Sequence, residues 1–235
     1  MLKVRNLKKR FGGLQALRGI DLDVPARAIL GVIGMNGSGK TTMLNCINGI
    51  YRADSGSIEL DGQSLAGRPI HEVAALGIGR TFQVPRVFQH MTLLDNMDVA
   101  QVASQASDAE RDEQSAYWLE KVGLLALRHN YAEELSGGQQ KLVELARIMV
   151  ARPKLILLDE PFAGVNPQLA LQLINLIAEI PVQHDCSVVL VSHDLTSIYQ
   201  LSHHIVVMNE GAILTQGSAD TVRSDPAVIE AYLGA

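Results

Sequence analysis

The segment Gly34-Met35-Asn36-Gly37-Ser38-Gly39-Lys40-Thr41 constrains this chain more than any other. It fits G-x-x-x-x-G-K-[ST], the phosphate-binding loop. Its glycines let the backbone curl so that successive N–H groups point into one concavity, with no Cβ in the way of an anion. Lys40 is then placed to reach β- and γ-phosphates, and the Thr41 hydroxyl to ligate Mg²⁺. The flanks agree. Ile29 to Ile33 is an apolar run of strand length, and Thr42 to Ile47 reads as a helix. The positive end of that helix dipole also favours phosphate. A bare glycine-rich turn would not need strand, lysine and helix together.

Two further segments carry chemistry. Leu135-Ser136-Gly137-Gly138-Gln139 reads locally as a helix start, with Ser136 as N-cap. Such a terminus is an anion site, but no lysine accompanies it. That makes sense if it closes over a nucleotide held by another subunit. Leu155-Ile156-Leu157-Leu158-Asp159-Glu160 reads as a buried parallel strand with two acids at its C-terminal end. Ligands bind at that end in open α/β sheets. Asp159 is the candidate for holding Mg²⁺, and Glu160 the candidate general base.

GMNGSGKT, LSGGQ and LILLDEP, in this order and spacing, resemble the ATPase subunit of ATP-binding-cassette (ABC) transporters. The resemblance extends over almost the whole chain and adds three positions. Phe11 stands where the family has an aromatic that stacks on adenine. Gln83, in Arg80-Thr81-Phe82-Gln83, stands at the family's glutamine loop, and His193, in Val191-Ser192-His193-Asp194, at its switch histidine. Taken singly, Phe11 reads as an edge-strand aromatic, Gln83 as a strand end and His193 as a structural histidine. Their order among the other motifs favours function. The resemblance implies nucleotide binding by Phe11, Asn36, Gly37, Ser38, Gly39, Lys40, Thr41 and Thr42. It implies catalysis by Glu160, His193 and Gln83, and Mg²⁺ at Thr41, Gln83 and Asp159. It implies contact across a dimer by Ser136, Gly137, Gly138 and Gln139.

Softer features resemble the branched-chain amino-acid uptake group. They are Gly79 to Gln83, Arg86-Val87-Phe88, Met91-Thr92-Leu93, Phe162 to Pro167 with Asn166 in place of the commoner Asp, and the ending Asp225 to Gly234. There are departures. Met35 and Ser38 replace a usual Pro and Ala in the loop, where backbone does the cradling. Ser192 replaces a Glu frequent before the histidine, and the segment from Gln101 to Tyr117 is short for the group.

Composition fits this reading. The chain has 235 residues, 47% of them hydrophobic, enough for a sizeable core. A net charge of −5 and the absence of a basic run argue against nucleic acid as a partner. No apolar stretch reaches about 18 residues, so no membrane span is expected. Lys3, Arg5, Lys8, Lys9 and Arg10 break up any signal-peptide core. Cys46 and Cys186 lie in apolar segments and read as buried thiols. The histidines show no metal spacing; His203 and His204, adjacent on a strand, would face opposite sides.

Strands are expected at Leu2–Leu7, Ile20–Val24, Ile29–Ile33 and Gly56–Gly62. Helices are expected at 95–103, at 108–122, and from Ser136 to a stop at Pro153. Beyond 154 the chain alternates strand and helix (155–158, 169–180, 188–191, 195–201, 205–208), the rhythm of parallel βαβ units. The expectation is a single α/β P-loop NTPase domain over 1–235. It would carry an N-terminal antiparallel β subdomain and a mainly helical subdomain at about 84–150. By the resemblance, two such subunits pack head to tail on the cytoplasmic face of the cell membrane. ATP with Mg²⁺ is sandwiched between them, and the stroke passes to integral membrane permease subunits through Val84 to Asn96. An extracytoplasmic solute-binding protein takes part indirectly. The alternatives are, within transport, an exporter ATPase of the lipopolysaccharide type, and outside transport, a soluble ABC ATPase acting as a scaffold.

Overall fold

The computed structural model describes residues 1–233. Gly234, the end of the C-terminal segment singled out above, lies outside the described residues. Two strands open the chain, β1 (Leu2–Phe11) and β2 (Leu14–Val24), followed by β3 (Ile29–Ile33) and helix α1 (Lys40–Ile47). Next come β4 (Ser55–Leu60), β5 (Gln63–Ser64), α2 (Ile70–Ala75) and β6 (Ile78–Arg80). Three helices fill the stretch before the next strand: α3 (Leu93–Ala100), α4 (Asp108–Lys121) and α5 (Gly137–Val150). Then follow β7 (Leu155–Asp159), α6 (Pro167–Gln183), β8 (Ser187–Val191), α7 (Leu195–Leu201), β9 (His204–Asn209), β10 (Ala212–Gly217), α8 (Ala219–Ser224) and α9 (Pro226–Leu233).

The strands form two sheets. One is four-stranded, in the order β2-β1-β4-β5, with neighbouring strands antiparallel. The other is six-stranded, in the order β10-β9-β3-β8-β7-β6, parallel except for β10 at its edge. Both the α/β fold and the N-terminal antiparallel sheet therefore match expectation.

Period-two alternation explains why the large sheet is buried on both faces. Ile156, Leu158, Val188, Leu190, Ile205 and Val207 point into a core shared with α4, α5 and α6. Their neighbours Leu155, Leu157, Val189, Val191, Val206 and Met208 point into a second core shared with the small sheet and α1. No β-strand position from Leu155 to Leu158 or from Val188 to Val191 reaches solvent.

Boundaries differ from the sequence reading where caps decide them. α3 starts at Leu93, because Thr92 and Asp95 close a capping box around it. α6 starts at Pro167, capped by Asn166, and continues to Gln183 through Pro181. Proline at the first position loses no internal bond. Pro181 falls in the final turn, where a single ladder bond is lost. β2 begins at Leu14, well before the expected Ile20, because it pairs with β1 back to Phe11. Both cysteines are buried free thiols, pushed up by burial to about 11 for Cys46 and about 12 for Cys186. Only His204 of the adjacent histidines lies in a strand; Nδ1 of His203 accepts a hydrogen bond from the Ile29 amide. No helix among the described residues is long and apolar enough to cross a membrane.

Candidate active site

Four neighbouring parallel strands, β3, β8, β7 and β6, end on one side of the large sheet. The phosphate loop follows β3, His193 follows β8, Asp159 and Glu160 end β7, and Gln83 follows β6. The topology thus gathers residues from four distant stretches at the carboxyl edge of the sheet. They line a cavity of about 890 Å³ together with Phe11, Asn36, Gly37, Gly39, Lys40, Thr41 and Thr42.

Ser38 is the one expected loop residue that does not line it. It is buried, its amide donates to the Met35 carbonyl, and its carbonyl accepts from the Gly211 amide. Ser38 builds the loop. Gly39 has φ +103°, and a Cβ there would meet the Ala16 carbonyl at 2.7 Å, so this position requires glycine. Lys40 folds back on the loop, donating to the carbonyls of Gly34 at 2.6 Å and Met35 at 3.0 Å. Burial lowers its pKa, against the pull of Glu160 and Asp159.

Glu160 leaves β7 in the left-handed region, at φ +52°. Its amide still reaches the Val191 carbonyl, while its side chain turns toward the loop after β8. There Oε2 lies 2.7 Å from Nδ1 of His193, 3.2 Å from the His193 amide and 3.3 Å from Oγ of Ser192. Ser192 thus reaches the candidate base through its hydroxyl. Asp159 is buried, and its Oδ2 accepts from Arg80 at 3.2 Å. Burial pushes its carboxyl up, while Arg80 and the nearby Thr41 hydroxyl pull it down.

The donor set fits a Mg²⁺–nucleotide. Thr41 and Asp159 offer hard oxygen ligands side by side at the mouth of the phosphate loop. No group of three or more His, Cys, Asp or Glu forms a self-contained metal cage among the described residues. An ion held there would need further ligands from phosphate and water, as Mg²⁺ commonly takes.

Sequence reasoning missed the far wall of the cavity. Gln15, Ala16 and Arg18 on β2, and Glu210 and Gly211 in the turn between β9 and β10, line it as well. The Arg18 amide donates to the Gly211 carbonyl at 2.7 Å, joining the two sheets at this wall. Nothing in these residue types signals a site; tertiary contact alone recruits them. Ser136, Gly137, Gly138 and Gln139 stand apart from the cavity. Ser136 caps α5 in a capping box with Gln139, and Ser136 and Gly137 are exposed.

Residues 17–163 match the family model described as "ABC transporter", and residues 212–235 match one described as "Branched-chain amino acid ATP-binding cassette transporter". The chain is 41% identical over 249 aligned positions to the high-affinity branched-chain amino acid transport ATP-binding protein BraF of Pseudomonas aeruginosa, covering 100% of this chain and 98% of that one. It is 38% identical to LivG of Escherichia coli, of the same description, with the same coverage. Among solved structures, the ATP-binding cassette MJ1267 in its ADP conformation superposes with a TM-score of 0.88 at 33% identity, over 100% of this chain and 99% of that one. A nucleotide-free cassette gives 0.89 at 32% identity, with the same coverage. With its phosphate loop, paired acids and histidine drawn to one edge of the sheet, the chain belongs to the ABC transporter family, among the branched-chain amino-acid transport ATP-binding proteins.

Proposed function

We propose that this chain is the ATP-binding and ATP-hydrolysing subunit of an importer for branched-chain or related amino acids. The carrying observation is the Glu160 carboxylate, held against His193 across the cavity that also takes Lys40 and Thr41. The names of the relatives, BraF and LivG, supply the solute class.

The chain's own residues divide the work. The loop amides from Asn36 to Thr42 cradle the ATP phosphates, and Phe11 meets the adenine. Lys40 exchanges its two carbonyl partners for β- and γ-phosphate oxygens. Thr41 and Asp159, with Gln83 nearby, would hold Mg²⁺, which would supply positive charge against the phosphates. Glu160 orients the attacking water and takes its proton. His193 trades Glu160 for the γ-phosphate. Charge stabilisation by Lys40 and the loop donors supplies most of the rate.

The exposed Ser136–Gln139 terminus completes the site of a second ATPase subunit. The pair works at the cytoplasmic face of a membrane, against permease subunits that contact the segment from Val84 to Asn96. An extracytoplasmic binding protein delivers the solute.

The test is Glu160→Gln in the assembled transporter, with uptake of labelled leucine as second readout. ATP affinity should be kept, while hydrolysis falls about 10²–10⁴-fold and uptake stops. A hydrolysis rate within about twofold of the parent, some 0.4 kcal/mol in barrier, removes Glu160 from this role. Intact hydrolysis without leucine-stimulated turnover would sink the solute assignment.

A further inference from the structure

Helix α5 carries three long polar side chains along one stripe, Lys141, Glu144 and Arg147, each one turn apart. Lys141 and Glu144 are buried, and no nucleotide chemistry calls for them. Each reaches backbone of a loop that borders the cavity.

Lys141 is satisfied entirely by one turn. Its Nζ donates to the carbonyls of Glu160 at 3.0 Å, Pro161 at 3.3 Å and Ala163 at 2.7 Å. An ammonium has three protons, and all three are spent on the segment that leaves β7. That segment starts with Glu160 at φ +52°, a conformation an L-residue holds only when its surroundings impose it. The turn's own bonds are sparse: the Ala163 amide reaches the Glu160 carbonyl at 3.3 Å, and the Val165 amide reaches the Phe162 carbonyl at 3.2 Å.

The helix that holds Lys141 is itself fixed to the other loop. Oε1 of Glu144 accepts from the Arg86 amide at 2.8 Å, and Oε2 from the Phe82 amide at 3.4 Å. Arg147 donates to the Arg86 carbonyl. Gln83 lies between those two anchored amides. One rigid helix therefore begins at the exposed Ser136–Gln139 terminus, grips the Gln83 loop, and grips the Glu160 turn.

We propose that Lys141 is a positioning residue for Glu160. By binding three carbonyls of the turn, it fixes the backbone that aims the Glu160 carboxylate. Engagement of the α5 terminus by the partner's nucleotide then reaches Glu160 along a single helix and one side chain. This rests on Glu160 being the general base, as above.

The experiment compares Lys141→Met, Lys141→Gln and Lys141→Arg in the assembled transporter, with Glu160→Gln as control. Lys141→Met should lower kcat by about 10²-fold, the scale of a displacement of about 1 Å at a reacting group. KM for ATP, and ATP affinity of the isolated chain, should stay within about twofold, since no phosphate-loop contact changes. Lys141→Arg keeps a charged fork that spans two of the carbonyls and should restore kcat to within about threefold of the parent. Lys141→Gln reaches one carbonyl and should fall between, which gives the answer should the Met chain not fold. A folded Met or Gln variant with parental kcat overturns the proposal. So does an Arg variant as slow as Met, or a loss that lies in KM. If Glu160→Gln itself keeps the parental rate, the base assignment has failed instead.

Discussion

Arg80 and Asp159 form an ion pair inside the protein, 3.2 Å apart, with side chains only 3% and 7% exposed. Arg80 ends β6 and Asp159 ends β7, so the pair ties two neighbouring strands where both run out into site loops. Its other arm donates to Oδ1 of Asn45 on α1 at 2.6 Å, while its Nε is left without a partner. Arg80 thereby joins the phosphate-loop helix to the acid expected to ligate Mg²⁺, and its charge pulls that carboxyl's pKa down against a burial that raises it.

Arg80→Met should therefore be strongly destabilising, because it strands a buried carboxylate. Breaking one side of such a pair costs about 3–5 kcal/mol. At about 2–4 °C per kcal/mol for a chain of this size, the melting temperature should fall by roughly 10 °C. The double variant Arg80→Met, Asp159→Asn should recover part of that loss, since no unpaired charge remains. Calorimetric melting of the parent, the two single variants Arg80→Met and Asp159→Asn, and the double variant decides it. Additive losses would mean that the pair contributes nothing as a pair.

The α5 terminus offers a clean test of the two-subunit site. A Cβ on Gly138 would meet Cδ1 of Leu169 at 2.9 Å within the same chain, so a substitution there must displace that side chain. A Cβ on Gly137 meets nothing within 4 Å. Gly137→Asp adds a carboxylate in the first turn, where the helix dipole favours it, so the isolated chain should melt no lower than the parent. If the proposed two-subunit site holds, the same carboxylate comes to face the γ-phosphate of the partner's ATP in the assembled transporter and should abolish most hydrolysis. ATP affinity of the isolated chain should be unchanged. Loss of that affinity would place Gly137 in its own subunit's site, and full activity in the complex would make it a plain helix start.

Phe11 is 41% exposed at the rim of the cavity, edge-on to Tyr51 with ring centroids 5.1 Å apart. Phe11→Ala should weaken ATP and ADP binding equally, because both present the same adenine. Stacking of a base on an aromatic ring is worth about 1–3 kcal/mol, roughly 5- to 150-fold in affinity. Calorimetric titration with both nucleotides measures this. A loss for ATP alone would point to the phosphates rather than the base.

Much of this site is legible in the sequence, because its residues sit in local motifs whose spacing is dictated by strand, turn and helix. Gly34–Thr41, Asp159–Glu160 and His193 could each be placed at a strand's carboxyl end from apolar runs alone. The wall formed by Gln15, Ala16, Arg18 and Gly211 could not, because it exists only where the small sheet packs on the β9–β10 turn. The Lys141–Glu144–Arg147 stripe was equally hidden. Charged side chains on a helix usually mark a solvated face, and only the docking of two loops onto α5 buries Lys141 and Glu144. Thr92 and Asn166 were visible as residue types, but their caps moved helix starts that periodicity alone placed two residues late.

Glu144 gives the molecule a measurable pH signature. It is 2% exposed, and burial pushes its carboxyl up to about 7 from an ordinary 4.5, against the amides of Arg86 and Phe82 and the charges of Arg147 and Lys141. The folded chain thus holds this proton more tightly than the unfolded chain does. The resulting stability is complete below about pH 4.5 and is lost as pH rises through about 7. At 1.36 kcal/mol per pH unit, the span corresponds to roughly 3 kcal/mol. Glu144→Gln resembles the protonated form and never ionises, and whatever its amide costs against the Phe82 N–H is the same at every pH. Lys141, Arg147 and the other titrating groups are common to both chains. The stability of the variant relative to the parent should therefore rise between pH 5 and pH 8 by about 2–3 kcal/mol, or roughly 5–10 °C in melting temperature. Melting both chains across that range measures the difference. A difference that stays flat would show that Glu144 is ionised in the folded chain throughout, with the two loop amides and its cationic neighbours outweighing burial.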